Sequence, residues 1–292
     1  MTVGERRGGR RGQTVTSATH VMTTILNIPY TPTADPCHRF DLYLPDRPGD
    51  GSPVLAFVHG GAWRREDKAD HHSLACALAT ATHCPVLVPN YRLTPQTPTE
   101  SNQFRHPGHA EDILAFLEFV TAWDGLAAAQ SRSFYLLGHS AGAHILASIF
   151  LDSSAISPSL APSARVLRGV QGLAVSEGIY DLDLLLERFP EYSEWFIAAA
   201  FGKRDSYTQY SATRLALRKN SALRWMVIHS TGDTLVDVPQ SDAMYRHLRI
   251  LYGAAADDHV AHSFDKLHVE HNDVLLAPEF VSIVRSFVGY VQ

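Results

Sequence analysis

Gly138-His139-Ser140-Ala141-Gly142 sets a serine between glycines at G-x-S-x-G spacing. A serine hydroxyl is a poor nucleophile until a base takes its proton, and this spacing belongs to a sharp strand-to-helix turn that holds the hydroxyl clear of the backbone. Small neighbours let the helix start pack on adjoining strands, and its N-terminus aims positive potential at the serine. The bare pattern is weak, because glycine and serine are common. An apolar run on each side makes it specific. A second segment, His59-Gly60-Gly61-Ala62-Trp63, follows another apolar run. Alone it reads as a Gly-Gly turn; beside the serine corner it reads as a loop whose N–H groups face a developing oxyanion. The expected donors are those of Gly61, Ala62 and Ala141.

The serine needs a base and the base an orienting acid, from the ends of later strands in the order Ser, Asp, His. Asp233 and Asp237 compete. Asp233 lies just beyond the apolar run RWMVIHS, whereas Asp237 adjoins a helix start at Pro239 and could serve its N-terminus, so the placement favours Asp233. Of His259, His262, His268 and His271, the choice falls on His271, in the polar HND loop leading to the last helix, over His268, which lies closer to the preceding strand. The other three read as surface residues. Sixteen histidines invite a metal, yet no HExxH or clustered Cys/His spacing occurs, and none is expected. His71, His72, His106 and His109 read as solvated or capping residues, and Asp112 as a structural hydrogen-bonding group.

These residues require strands to end at one rim. Short apolar runs alternate with amphipathic ones, the pattern of a mostly parallel sheet covered by helices. Strands are expected near Val21 to Ile28, in HRFDLYL, and from Val54, Pro85, Ser133, Gly169 and Arg224; helices over Lys68 to Thr82 and from Gly108, Ala141, Pro239 and Pro278. The stretch 178–220, rich in Phe, Tyr and Trp, is too long for a simple crossover and reads as a helical cover. Residues 1–20, rich in Arg, Gly, Ser and Thr, read as a tail, with a mitochondrial leader the sharper alternative; residues 21–292 read as one domain. With 45% hydrophobic residues and a net charge of -5, the chain can bury a large core and carries no excess base for nucleic acid. Cys37, Cys76 and Cys84 suit a reducing compartment, and no apolar run is long enough to span a bilayer, so the cytoplasm is the expected location. The expected fold is the α/β-hydrolase fold.

HGGAW, GHSAGAH, STGDTLV and LHVEHNDVL together resemble the kynurenine formamidase (arylformamidase) family, most closely its fungal form. The likeness also takes in NYRLTP, HPGHAEDI and GIYDLDLLLERFPEYSEWF, and so spans nearly all of the chain after the tail. The tryptophan of HGGAW is its most discriminating piece. Carried over, the resemblance implies Ser140, Asp233 and His271 as triad, N-formyl-L-kynurenine as small-molecule substrate, L-kynurenine and formate as products, and no cofactor. The cleaved bond is an amide C–N, in a step of tryptophan breakdown that feeds NAD synthesis. Trp63, Tyr192 and Trp195, with Phe189 and Phe196, are candidates for an aromatic wall around the substrate, or for ordinary packing. A homodimer is left open. A broad carboxylesterase of the hormone-sensitive-lipase type and a binding protein without turnover are the alternatives, since fold alone does not fix chemistry.

Overall fold

The computed structural model describes residues 22–47, 51–126, 133–219 and 221–289; the expected tail lies outside them. Strands β1 (Thr23–Pro29) and β2 (Arg39–Leu44) form an antiparallel pair at one edge. Then come β3 (Val54–Val58), helix α1 (His72–Thr82), β4 (Val86–Pro89), α2 (Gly108–Ala122), β5 (Phe134–His139) and α3 (Ala141–Phe150). After the two-residue β6 (Leu151–Asp152) and α4 (Ala164–Gly169), β7 (Val170–Ser176) leads into α5 (Leu182–Arg188) and α6 (Ala198–Phe201). The chain then runs through β8 (Ala216–Leu217), β9 (Arg224–Ile228), α7 (Val238–Tyr252), α8 (Ala256–His259), β10 (Val260–Ser263) and α9 (Pro278–Val288).

Eight strands form one sheet in the order β1-β2-β4-β3-β5-β7-β9-β10, while β6 and β8 pair separately. From β4 to β10 every neighbouring pair is parallel. Their apolar runs are explained by burial on both faces. In β3, Val54, Ala56 and Val58 enter one core and Leu55 and Phe57 the other, the period-2 alternation of a strand between two helix layers. Helices α2, α3 and α7 supply the first core, and α1 and α9 the second. The parallel strands that carry the candidate residues therefore all end at one rim. Among the described residues, no helix is long and apolar enough to cross a membrane.

The expected strands and helices appear with boundaries moved by a few residues. The two-residue β6 and β8 are too short for periodicity to register, and β10, Val-Ala-His-Ser with two exposed residues, carries too little apolar character to read as a strand. The stretch 178–219 is a set of short helical pieces, including a π-helical turn at Ser193–Ile197 that runs into α6.

Asp112 on α2 is a structural anchor. Its carboxylate accepts from the Arg92 backbone N–H (2.9 Å) and from Nε and Nη2 of the same arginine (2.9 and 2.6 Å), with His38 Nε2 at 3.2 Å. The carboxylate is buried while the Arg92 side chain is 40% exposed, so solvent weakens the charge attraction but not the loss of a partner for buried donors. Asp112→Ala is expected to cost about 2 kcal/mol in urea unfolding, without removing reactivity at Ser140; a change near zero would contradict this account.

Candidate active site

Ser140 sits between the last residue of β5 and the first of α3 at φ 52°, ψ -118°, a conformation that L-residues rarely hold and that aims the side chain off the strand end. Its N–H donates to Ser176 O (2.9 Å), which ties the corner to β7. Packing leaves no choice at Gly142: a Cβ there would meet Val58 O at 2.2 Å and His59 O at 2.5 Å. That approach sets the serine beside the loop after β3. All ten residues of α3 are buried, so its N-terminal N–H groups, that of Ala141 included, lie in a site with little water.

The HGGAW loop bends sharply. Gly61, Ala62 and Trp63 have φ of 81°, 52° and 59°, and the Gly61 carbonyl accepts from the N–H groups of Arg64 and Arg65 (2.9 Å each). Tyr91 holds the loop from behind. Its ring stacks on His59 with centroids 4.4 Å apart, and its hydroxyl donates toward His59 O (3.1 Å) and Gly60 O (2.8 Å). Burial, and then the neighbouring His71, push His59 down to about 4, so it stays neutral. His59, Glu66 and His71 have nitrogens and oxygens within 4.8 Å of one another, the reach of a metal site. Glu66 is already engaged there, accepting from His71 Nε2 at 3.1 Å.

Asp233, in the loop after β9, and His271, before α9, meet across the rim. His271 Nδ1 donates to Asp233 Oδ2 at 2.7 Å, while Oδ1 accepts the N–H groups of Leu235 (2.8 Å) and Val236 (2.9 Å). Burial would raise the Asp233 carboxyl, but the hydrogen bond and charge of His271, with Glu177 and the Val236 N–H, hold it down at about 2. The Nδ1 bond leaves Nε2 of His271 as acceptor.

Ser140 and His271 line one cavity of about 250 Å³ together with Gly61 and Ala62, Tyr192, Trp195 and Phe196 of the 178–219 stretch, and Arg64, Arg65 and Glu66. Arg64 is fixed: its guanidinium donates to the carbonyls of Trp195, Gln96 and Pro95. Arg65 makes no side-chain hydrogen bond or ion pair with the described residues and is exposed. Asn272, Ile179, Leu235 and Val236 complete the wall.

Several expectations need correcting. Trp63 does not reach the cavity; its ring is fully buried against His144, Phe196 and Phe201, so it supports the wall from behind. Phe189 stacks on Tyr192 at 4.8 Å without lining the cavity. His71 and His109 are buried rather than solvated, His109 sharing a hydrogen bond with Thr94 Oγ1 (2.9 Å). His106 packs in an aromatic cluster with His144, Phe201 and Tyr210. Asp237 holds the N-cap position of α7 but makes no side-chain cap bond. Sequence reasoning missed Tyr91, Arg64 and Glu177, the last a buried acid with a carboxyl oxygen within 4.8 Å of one on Asp233. The only linear signal for Glu177 was a carboxylate directly after an apolar run.

A mostly parallel, two-layer-covered sheet with a strained serine at the end of β5 defines an α/β-hydrolase. Comparison with known proteins agrees: residues 40–248 match the BD-FAE family model, and the chain belongs to the BD-FAE family. It is similar to the kynurenine formamidase of Meyerozyma guilliermondii, 28% identical over 199 residues that cover 65% of this chain and 69% of that one. It is 34% identical over 219 residues to the Oryza sativa protein named "Probable isoprenylcysteine alpha-carbonyl methylesterase ICME", covering 71% of this chain and 50% of that protein. Among solved structures, an inhibited esterase B from Lactobacillus rhamnosis superposes with TM-score 0.72 at 19% identity, over 92% of this chain and 87% of that one, a likeness of fold. The resemblance to kynurenine formamidases found in the motifs is thus repeated over 65–72% of the chain, and the protein is a hydrolase.

A carboxyl held near 2 in the fold contributes stability that is complete above its unfolded value of 3.8 and is lost as pH falls through about 2. The stability lost by Asp233→Asn is therefore expected to shrink between pH 4 and pH 2. Thermal melts of both proteins across that range check this, and a constant difference would contradict it.

Proposed function

We propose that this chain is an arylformamidase, hydrolysing N-formyl-L-kynurenine to L-kynurenine and formate with Ser140 as nucleophile, His271 as base and Asp233 as the orienting acid. The observation that carries the reading is the shared cavity: Ser140 and His271 in its lining, three aromatic side chains facing the same space, and an unengaged arginine beside them. The similarity to kynurenine formamidases supports the substrate. Three unpaired cysteines support a cytoplasmic location.

In this mechanism His271 Nε2 takes the Ser140 proton as Oγ attacks the formyl carbon, and the carbonyl oxygen becomes an oxyanion facing the N–H groups of Gly61, Ala62 and Ala141. The C–N bond breaks as His271 returns the proton to the departing aryl amine. Water, deprotonated by the same histidine, then attacks the formyl ester and releases formate, restoring the serine. A formyl group needs almost no acyl pocket, so the cavity is left for the leaving group. Tyr192, Trp195 and Phe196 suit a flat aryl ketone, and Arg65 suits its carboxylate.

A second reading, an esterase, is favoured by the similarity to the methylesterase. The ratio of kcat/KM for N-formyl-L-kynurenine to that for a short p-nitrophenyl ester separates the two, and a strong ester preference would overturn the first. With N-formyl-L-kynurenine, Ser140→Ala is expected to abolish activity and fluorophosphonate labelling with folding intact. Asp233→Asn is expected to lower kcat by about 10⁴ and Asp237→Asn to leave it within a few-fold; the reverse order would move the acid to Asp237. Arg65→Gln is expected to raise KM for N-formyl-L-kynurenine roughly ten-fold while changing kcat/KM for uncharged formanilide by less than about two-fold. Equal effects on both substrates would remove Arg65 from carboxylate recognition.

A further inference from the structure

The acid that orients His271 has an acid beside it. Glu177 directly follows β7 and holds φ at 51°, and its N–H donates to Ile228 O on neighbouring β9 at 3.2 Å. A left-handed glutamate is strained, and here the strain directs the carboxyl inward, where it is fully buried with an oxygen within 4.8 Å of one on Asp233. Its Oε1 accepts the Ser230 N–H at 2.9 Å. Its Oε2 is buried with no donor directed at it; the nearest, His229 Nδ1 at 3.3 Å, is hydrogen-bonded to Ser241 Oγ at 2.8 Å. Among the described residues no lysine or arginine pairs with either acid.

Two buried carboxyls this close, without a cation between them, cannot readily both be ionised. Asp233 accepts from three N–H groups, the set that favours an anion, whereas Glu177 accepts from one. A proton on Oε2 of Glu177 removes an unpaired buried charge and supplies the O–H for the contact with Asp233. We propose that Glu177 is a neutral carboxylic acid at physiological pH that donates its O–H to Asp233, a positioning residue that fixes the anion on which His271 is oriented. The role at Asp233 rests on the triad reading above.

The titratable groups facing this pair are few. His229, just after β9, lies near both acids, and Tyr180, in the loop after β7, faces Glu177; His271, His139, Asp237 at the start of α7 and Tyr192 of the aromatic wall face Asp233. Burial, and then the hydrogen bond and charge of Asp233, push the Glu177 carboxyl well up, while burial pushes His229 down, so no cation forms there to reclaim the proton.

A carboxyl that keeps its proton in the fold but loses it in the unfolded chain above its ordinary value of 4.5 costs stability progressively as pH rises. Glutamine keeps a donor and cannot titrate. In the full chain, the melting temperature of Glu177→Gln minus that of wild type is expected to grow from pH 5 to pH 8 by roughly 2 °C per unit; a flat difference overturns the proton assignment. The infrared C=O stretch of a buried neutral carboxyl should be present in wild type at pH 7 and lost in Glu177→Gln, and its absence from wild type overturns the assignment equally. For the positioning role, fluorophosphonate labelling of Ser140 is expected to slow at least ten-fold in Glu177→Leu, and Glu177→Gln to recover most of it. Equal rates in the two variants overturn that role. A wild type that does not label sinks the triad reading, and the positioning role with it, while the melting series still decides the proton.

Discussion

The site depends on one close approach: the first turn of α3 lies against the carbonyls at the end of β3, at a distance only a residue without Cβ allows. A side chain at position 142 would overlap Val58 O and His59 O. Because the helix is driven down onto the sheet there, the serine at its entry and the loop leaving β3 share one small volume. The strain at Ser140 and the positive φ values through Gly61, Ala62 and Trp63 are the local cost of that fit. The surrounding core, with α3 buried along its whole length, supplies the energy that holds them.

Around that fixed point, polarity is rationed. His59, His109 and His144 are held neutral chiefly by burial and act as shaped, hydrogen-bonding packing units. Asp233, by contrast, collects N–H donors until it stays an anion despite burial. The imidazole facing it is therefore fixed in tautomer, with the nitrogen that faces away from Asp233 left to accept. One rim hosts neutral and charged forms of similar groups because each has a different number of donors aimed at it.

Much of this was legible in the linear sequence. The parallel sheet was readable because its apolar runs are continuous, and Ser140, Gly61, Asp233 and His271 because each lies in a turn or loop that leaves a strand or leads into a helix. What escaped notice depended on contacts across strands. Glu177 meets Asp233 only because β7 and β9 are neighbours, and Tyr91 braces His59 only because its hydroxyl reaches the end of β3. Trp63 was misplaced because aromatic character speaks for burial and says nothing of which way the ring points. Residue type alone reads His71 and His109 as solvated or capping; His71 does stand at the N-cap position of α1, but Glu66 and Thr94 give both side chains partners inside the fold.

Arg64 joins two parts of the cavity lining. It belongs to the turn carrying the candidate oxyanion donors, and its guanidinium grips the carbonyl of Trp195, which belongs to the aromatic wall. Two further carbonyls, those of Pro95 and Gln96, anchor the same group. The aromatic wall and the turn are thereby tied to one guanidinium, so a displacement of either would pull on the other.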